Sequence, residues 1–292
     1  MDQKNNHFYL EEVFKEPVEI FSFEYKGVEE MKDNCLFVLD TNILLVPFYT
    51  SEKSFSFVKD IYTSLKEQNR LFIPARVARE FAKNRPNKLG DLYLHLRQIS
   101  SKMNSGNFDI KEFPLLESNK DFIELKKIFD EIKSLIKKSR KQFEIIDKQI
   151  NDWNWDDPIS REYKKIFTKE IIIEISKSRE DVVKDLESRI KYKIAPGYKD
   201  SSKIDDGIGD LIIWQTILEL GKKLKKDIIF VSNETKNDWF HKQDNIALYP
   251  RFELYDEYRS YTEGNCVNFI NYLQFLELGK VPKETIDRVK DK

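Results

Sequence analysis

The sequence predicts an α/β fold built on a central, mostly parallel sheet. Three observations carry that reading. Short, wholly apolar runs (CLFVL at 35–39, LFIP at 71–74 and the IIFV within DIIFVSN at 227–233) suit strands buried on both faces. Segments with apolar residues three and four apart alternate with them. Polar or acidic residues follow the strand ends directly, which is where parallel sheets bind ligands.

The elements follow in order. CLFVL ends in Asp40-Thr41-Asn42. Residues 51–68 carry Phe55, Val58, Ile61, Tyr62 and Leu65 at helical spacing. LFIP closes on Pro74, which suits the first turn of a helix over 75–84 with Val77, Ala78 and Phe81 on one face. A further helix is expected at 89–103. Alternation then stops. Residues 104–117 read as a loop, 119–150 as one long amphipathic helix, and 160–190 as a second long helix after the break at WNWDDP (153–158). The pair predicts an antiparallel helical hairpin, inserted at 104–190 into a core at about 35–103 and 193–280. KIAPGYKDSSKIDDGIGD (193–210) is irregular. LIIWQTILEL is helical, with Gly221 at its C-terminal end followed by lysines that suit the negative helix end. The last part, 251–278, reads as helix, short strand near 266–269, then helix.

Composition sets bounds. At 292 residues with 40% hydrophobic and 13% aromatic residues, the chain can build a large core. Fifty basic and 51 acidic residues leave a net charge of −1, which neither requires nor excludes nucleic acid, since such contacts depend on local patches. Two cysteines, Cys35 and Cys266, make no disulfide framework or CxxC site. With no basic-then-apolar leader and no apolar run of membrane-spanning length, the expected location is the cytoplasm and no membrane partner is expected.

The chemistry-bearing residues are carboxylates. Asp40 follows the first strand and Asn233 and Glu234 follow a later one, so in a parallel sheet they share a rim. Glu80 lies one turn into the helix after the second strand, and Asp210 opens the helix that feeds the later strand. Each of these acids alone has an ordinary structural explanation as a cap, turn former or solvated side chain. Together they would repel unless a cation joined them, and an all-oxygen set suits Mg²⁺ or Mn²⁺. His7, His95 and His241 have no ligand spacing.

LFVLDTNILL (36–45), LFIPARVAREFAKN (71–84), GDLIIWQTI (209–217) and IIFVSNETKNDWF (228–240) resemble, in order, the motifs of PIN-like nucleases. The chain looks most like the large bacterial branch, which has a long helical insertion and a PGYKD loop, here at 196–200, before GD-x-x-x-W. The resemblance implies a three-layer α/β/α domain whose acidic pocket holds one or two Mg²⁺ or Mn²⁺ ions and hydrolyses phosphodiesters with water. It implies Asp40, Glu80 and Asp210 as the catalytic, metal-holding acids, with Asn233 and Glu234 as further ligands. Where the family usually shows Thr-Asp-Asp, this chain has Ser232-Asn233-Glu234, so one acid is replaced by an amide. Thr41, Asn42, Ser232, Asp200 and Asp238 are expected to support the carboxylates. Arg76, Arg79, Lys199, Lys203 and Lys236 are expected to meet phosphates.

Three functions stay open at this point. An endoribonuclease is favoured, as a defence or toxin effector with a sensor or antitoxin partner. A structure-selective DNA nuclease is suggested by the Gly-Asp motif and helical insertion. A nucleic-acid-binding module with a weakened site is suggested by Asn233. Oligomer state and the role of the insertion are not fixed by these residues.

Overall fold

A computed structural model describes residues 7–104, 109–198 and 207–290. Among the described residues seven strands form in chain order: β1 (Leu36–Leu39), β2 (Leu71–Pro74), β3 (Ile172–Ile173), β4 (Ile228–Val231), β5 (Phe240–Gln243), β6 (Ile246–Pro250) and β7 (Val267–Ile270). Five of them make one sheet in the order β3-β2-β1-β4-β7, with every neighbouring pair parallel. Helices flank this sheet in the three-layer α/β/α arrangement. All four residues of β1 and of β4 are buried, which is why their sequences read as unbroken apolar runs rather than alternating ones.

The register sets the site. Leu39 lies beside Val231, so the chain leaves β1 and β4 at the same level of the sheet. The Asp40 amide extends the ladder by one bond, donating to the Val231 carbonyl at 3.0 Å. Beneath this edge, on the β4 side, an aromatic group closes the core. Phe230 stacks on Trp239 at 5.5 Å between ring centroids, and Trp214 meets Trp239 edge-on at 6.0 Å.

The chain divides into two compact units, one comprising residues 1–83 and 162–292, the other Asn84–Arg161. The second contains the long Lys120–Trp153 helix, capped by the Asn119 side chain on the Phe122 amide. It is held by a buried ion pair between Arg85 and Asp157, whose side chains are each 2% exposed. Arg97 and Asp147, at 3.2 Å, join its two helical arms near the surface.

The elements depart from expectation in four places. The helices expected at 75–84 and 89–103 are one, Ala75–Asn104, running through Pro86. The single helix expected over 160–190 is instead a helix at Pro158–Ile166, strand β3, and a helix at Arg179–Tyr192. The run of β-branched residues at 171–173 finds an open edge at β2, and Ser178 starts the later helix by accepting from the Asp181 amide. The helical pair is therefore drawn from 84–104 and 120–153, within Asn84–Arg161, and not from 104–190. Lastly, β5 and β6 form an antiparallel hairpin turned by Asp244 and Asn245, both at positive φ (50° and 65°), a conformation these residue types tolerate well. Among the described residues no helix is long and apolar enough to cross a membrane.

Candidate active site

The carboxylate of Asp40 is held from three directions. It caps the short Thr41–Leu45 helix, Oδ1 accepting from the Thr41 amide at 2.7 Å. Oδ2 accepts from the Ser232 hydroxyl at 2.6 Å and from the Asn42 side-chain amide at 2.6 Å. Ser232 follows β4, so its bond to Asp40 ties the two strand ends together. The Asn42 side-chain oxygen in turn accepts from the Asn233 amide at 3.0 Å. Burial pushes the Asp40 carboxyl up to about 7. The nearby charges of Asp210 and Glu80 act in the same direction, and the bonds from Ser232 and Thr41 act against it.

Glu80 is reached from the same short helix: the Thr41 hydroxyl donates to its Oε2 at 2.7 Å, and Arg76 Nε donates to Oε1 at 2.7 Å from one turn earlier. The Ile208–Leu224 helix approaches closely here because residue 209 is glycine. A β-carbon at that position would stand 2.8 Å from Glu80 Oε1 and 2.8 Å from an Arg76 guanidinium nitrogen. Asp210 follows at once, in the first turn of that helix. Its Oδ2 accepts from Lys236 Nζ at 2.9 Å and from the Trp239 indole at 3.4 Å. Burial raises the Asp210 carboxyl above the usual range, Lys236 opposes that, and Asp238 and Glu234 add to it.

Lys236 is shared between acids, lying 2.9 Å from Asp210 and 3.0 Å from Glu234 Oε2. The Glu234 carboxylate also accepts from the Thr235 and Lys236 amides, and its own amide donates to Ser232. Because β4 ends at Val231, residues 232–234 form a turn, and strand alternation does not govern their directions. Glu234 faces the acidic group. The Asn233 side-chain oxygen instead accepts from the Tyr272 amide at 2.9 Å, beyond the end of β7.

The other expected residues separate. Asp238 is fully buried and accepts from the Gly197 amide at 3.0 Å, tying down the loop that precedes Asp210. Arg79 pairs with Glu174 at the surface and takes no part in the cluster. Asp200, Lys199 and Lys203 lie outside the described residues. Reasoning from sequence missed two participants. Gly209 was visible as the glycine immediately before the third acid. The Trp239 indole had no signal beyond its place in the Asp-Trp pair.

Among the described residues no three Asp, Glu, His or Cys side chains form a ready coordination sphere, since Arg76 and Lys236 meet the oxygens of Glu80 and Asp210. The donor chemistry nonetheless suits a hard divalent cation. The acids offer only oxygen, and Asp40, half-buried and near two further carboxylates, would be relieved by added positive charge.

A parallel α/β sheet with acids gathered at the carboxyl ends of its central strands has its polar site where such folds bind ligands. The family model described as the PIN-like domain matches residues 36–254, most of the chain, and the protein belongs to that family. PIN-like domains are in general metal-dependent nucleases, so the fold is of nuclease type. No curated protein and no solved structure matches the sequence significantly.

Proposed function

We propose that this protein is a Mg²⁺- or Mn²⁺-dependent nuclease that hydrolyses phosphodiester bonds, with RNA as its substrate. The observation that carries the reading is the convergence of Asp40, Glu80 and Asp210, from three separate segments, at one edge of the sheet. Thr41 links Asp40 to Glu80, and Gly209 brings Asp210 alongside. Asp40, Glu80 and Asp210 would hold the ion, with Glu234 beside them. A bound divalent ion supplies acidified water and offsets charge on the phosphate. Ser232, Asn42 and Thr41 orient the carboxylates, and rigid oxygen donors of this kind are what a well-ordered metal site requires. Arg76 and Lys236 carry positive charge at the site and suit the phosphates of the substrate. The preference for RNA rests on the family resemblance.

Digestion of labelled RNA, single-stranded DNA and duplex DNA, with Mn²⁺ and with EDTA, tests this. RNA cleavage that requires metal and is lost in Asp40→Asn is expected. Metal-dependent cleavage of DNA alone overturns the RNA assignment, and metal-independent cleavage overturns the mechanism.

A further inference from the structure

We infer that the cleft beside the acidic cluster, between the β5–β6 hairpin and the end of β7, holds an unpaired base of the substrate strand. The inference rests on the nuclease reading and specifies how the substrate is gripped. The cleft has a volume of about 720 Å³ and is continuous with the acidic site: Ser232, Asn233 and Glu234 line it, and Ser232 is the residue bonded to Asp40. A strand whose phosphate lies at Asp40 has its neighbouring nucleotide at this opening.

The walls suit a base. Tyr49, 47% exposed, and Leu248, 54% exposed, line it from different elements with ring and aliphatic surface, together with the half-buried Phe240 of β5. Single-strand binding draws on such rings because every base has a face to stack. Two amide groups stand at the polar side. The Asn233 side chain spends its oxygen on the Tyr272 amide, and Gln274 spends its oxygen on the Asn271 amide. Their NH₂ groups have no hydrogen-bond partner among the described residues, and both residues are exposed. They can donate to acceptor atoms on a base edge. The amide at 233, where related chains usually carry an acid, thereby acquires a use outside metal binding. A paired base inside a duplex cannot enter such a recess, since its edges and faces are already occupied.

The test uses the full chain in the Asp40→Asn background, so that nothing is cut. Fluorescence anisotropy follows three probes: a labelled single-stranded RNA 8-mer, the same 8-mer with one abasic position, and a duplex of the same sequence. Tyr49→Ala is expected to weaken single-strand binding about tenfold, the loss of one base–ring stack. Tyr49→Phe keeps the ring and is expected to bind as the parent does. Leu248→Ala, on the β5–β6 hairpin, is expected to weaken binding in the same direction. The abasic probe is expected to bind the parent more weakly than the intact 8-mer and to be indifferent to Tyr49→Ala. Unchanged affinity in both Tyr49→Ala and Leu248→Ala, or duplex binding equal to single-strand binding, overturns the base cleft. If wild-type protein still cleaves RNA in that case, the nuclease reading stands; if it neither binds nor cleaves, both fall.

Discussion

Gly209 and Glu80 are in such close contact that any side chain at position 209 would displace the Glu80 carboxylate, the limiting distance being 2.8 Å to Oε1. The atoms in the way are the far ends of two flexible side chains, Glu80 and Arg76, so the fold can yield at small cost while the site cannot. Gly209→Ala is therefore expected to melt within a few degrees of wild type and to lose at least about tenfold in cleavage rate, the scale set by misplacing a catalytic group by an ångström. Thermal melts beside initial rates check this. Normal activity would show that the position of Glu80 does not matter.

Asp40→Asn is expected to abolish metal-dependent cleavage and leave the fold intact. The stability effect has a definite sign. The Asp40 carboxyl titrates near 7 in the folded protein and near its ordinary value of about 4 when unfolded. Folding thus favours the protonated form, and the metal-free protein loses that contribution as pH rises from about 4 through 7. The asparagine variant is spared the loss, so in EDTA its Tm advantage over wild type grows between pH 5 and pH 8. Melting curves at both pH values measure it, and a pH-independent difference would contradict the buried charge.

Lys236→Met removes the ammonium shared by Asp210 and Glu234. The metal-free variant is expected to lose about 1–3 kcal/mol, the scale of a hydrogen bond to a charged group, since two partly buried carboxylates lose their shared cation. Added Mn²⁺ is expected to raise its Tm by more than it raises that of wild type, because a cation then replaces a missing one and does not compete with one present. Calorimetry with and without Mn²⁺ decides the matter. An equal shift in both proteins argues against metal at Asp210.

In the Asn84–Arg161 unit, Asp157 accepts from the Arg85 guanidinium and from the Ile159 and Ser160 amides, and Arg85 Nε also donates to the Ser160 hydroxyl oxygen. Burial alone would raise this carboxyl, but the Ser160 and Arg85 interactions more than reverse it and hold it below the ordinary range. Its contribution is present above about pH 4 and is lost as pH falls through the lowered value. Asp157→Ala is expected to cost about 3–5 kcal/mol, since it leaves Arg85 buried and uncompensated. Denaturant melts at pH 7 and pH 3 should show a smaller gap at the lower pH.

The parts of the fold legible in the sequence were those where one physical signal dominates. β1, β2 and β4 are apolar runs because they are almost wholly buried, and Asp40 was visible because it directly ends one. Where two signals compete, the reading failed. Ile172 and Ile173 form a strand only because β2 offers an open edge, a tertiary fact that helical spacing around them concealed. Pro86 marked a helix boundary by its chemistry, yet the helix continues through it. The Asp244-Asn245 turn carried a usable signal, two adjacent residues tolerant of positive φ, that passed unread. At the site, the direction of Asn233 depends on a turn whose partner, the Tyr272 amide, lies 39 residues away. No local pattern encodes that.

The pairing of β1 with β4 bears on how the protein is made. Asp40 is synthesised early, but the hydroxyl that holds its Oδ2 belongs to Ser232, and the strand completing its side of the sheet spans Ile228–Val231. Asp40 has its Thr41 and Asn42 partners at once, but synthesis must run 192 residues further before Ser232 can join them. Until then the bond that ties the ends of β1 and β4 together cannot form, so the acidic cluster is assembled late in synthesis.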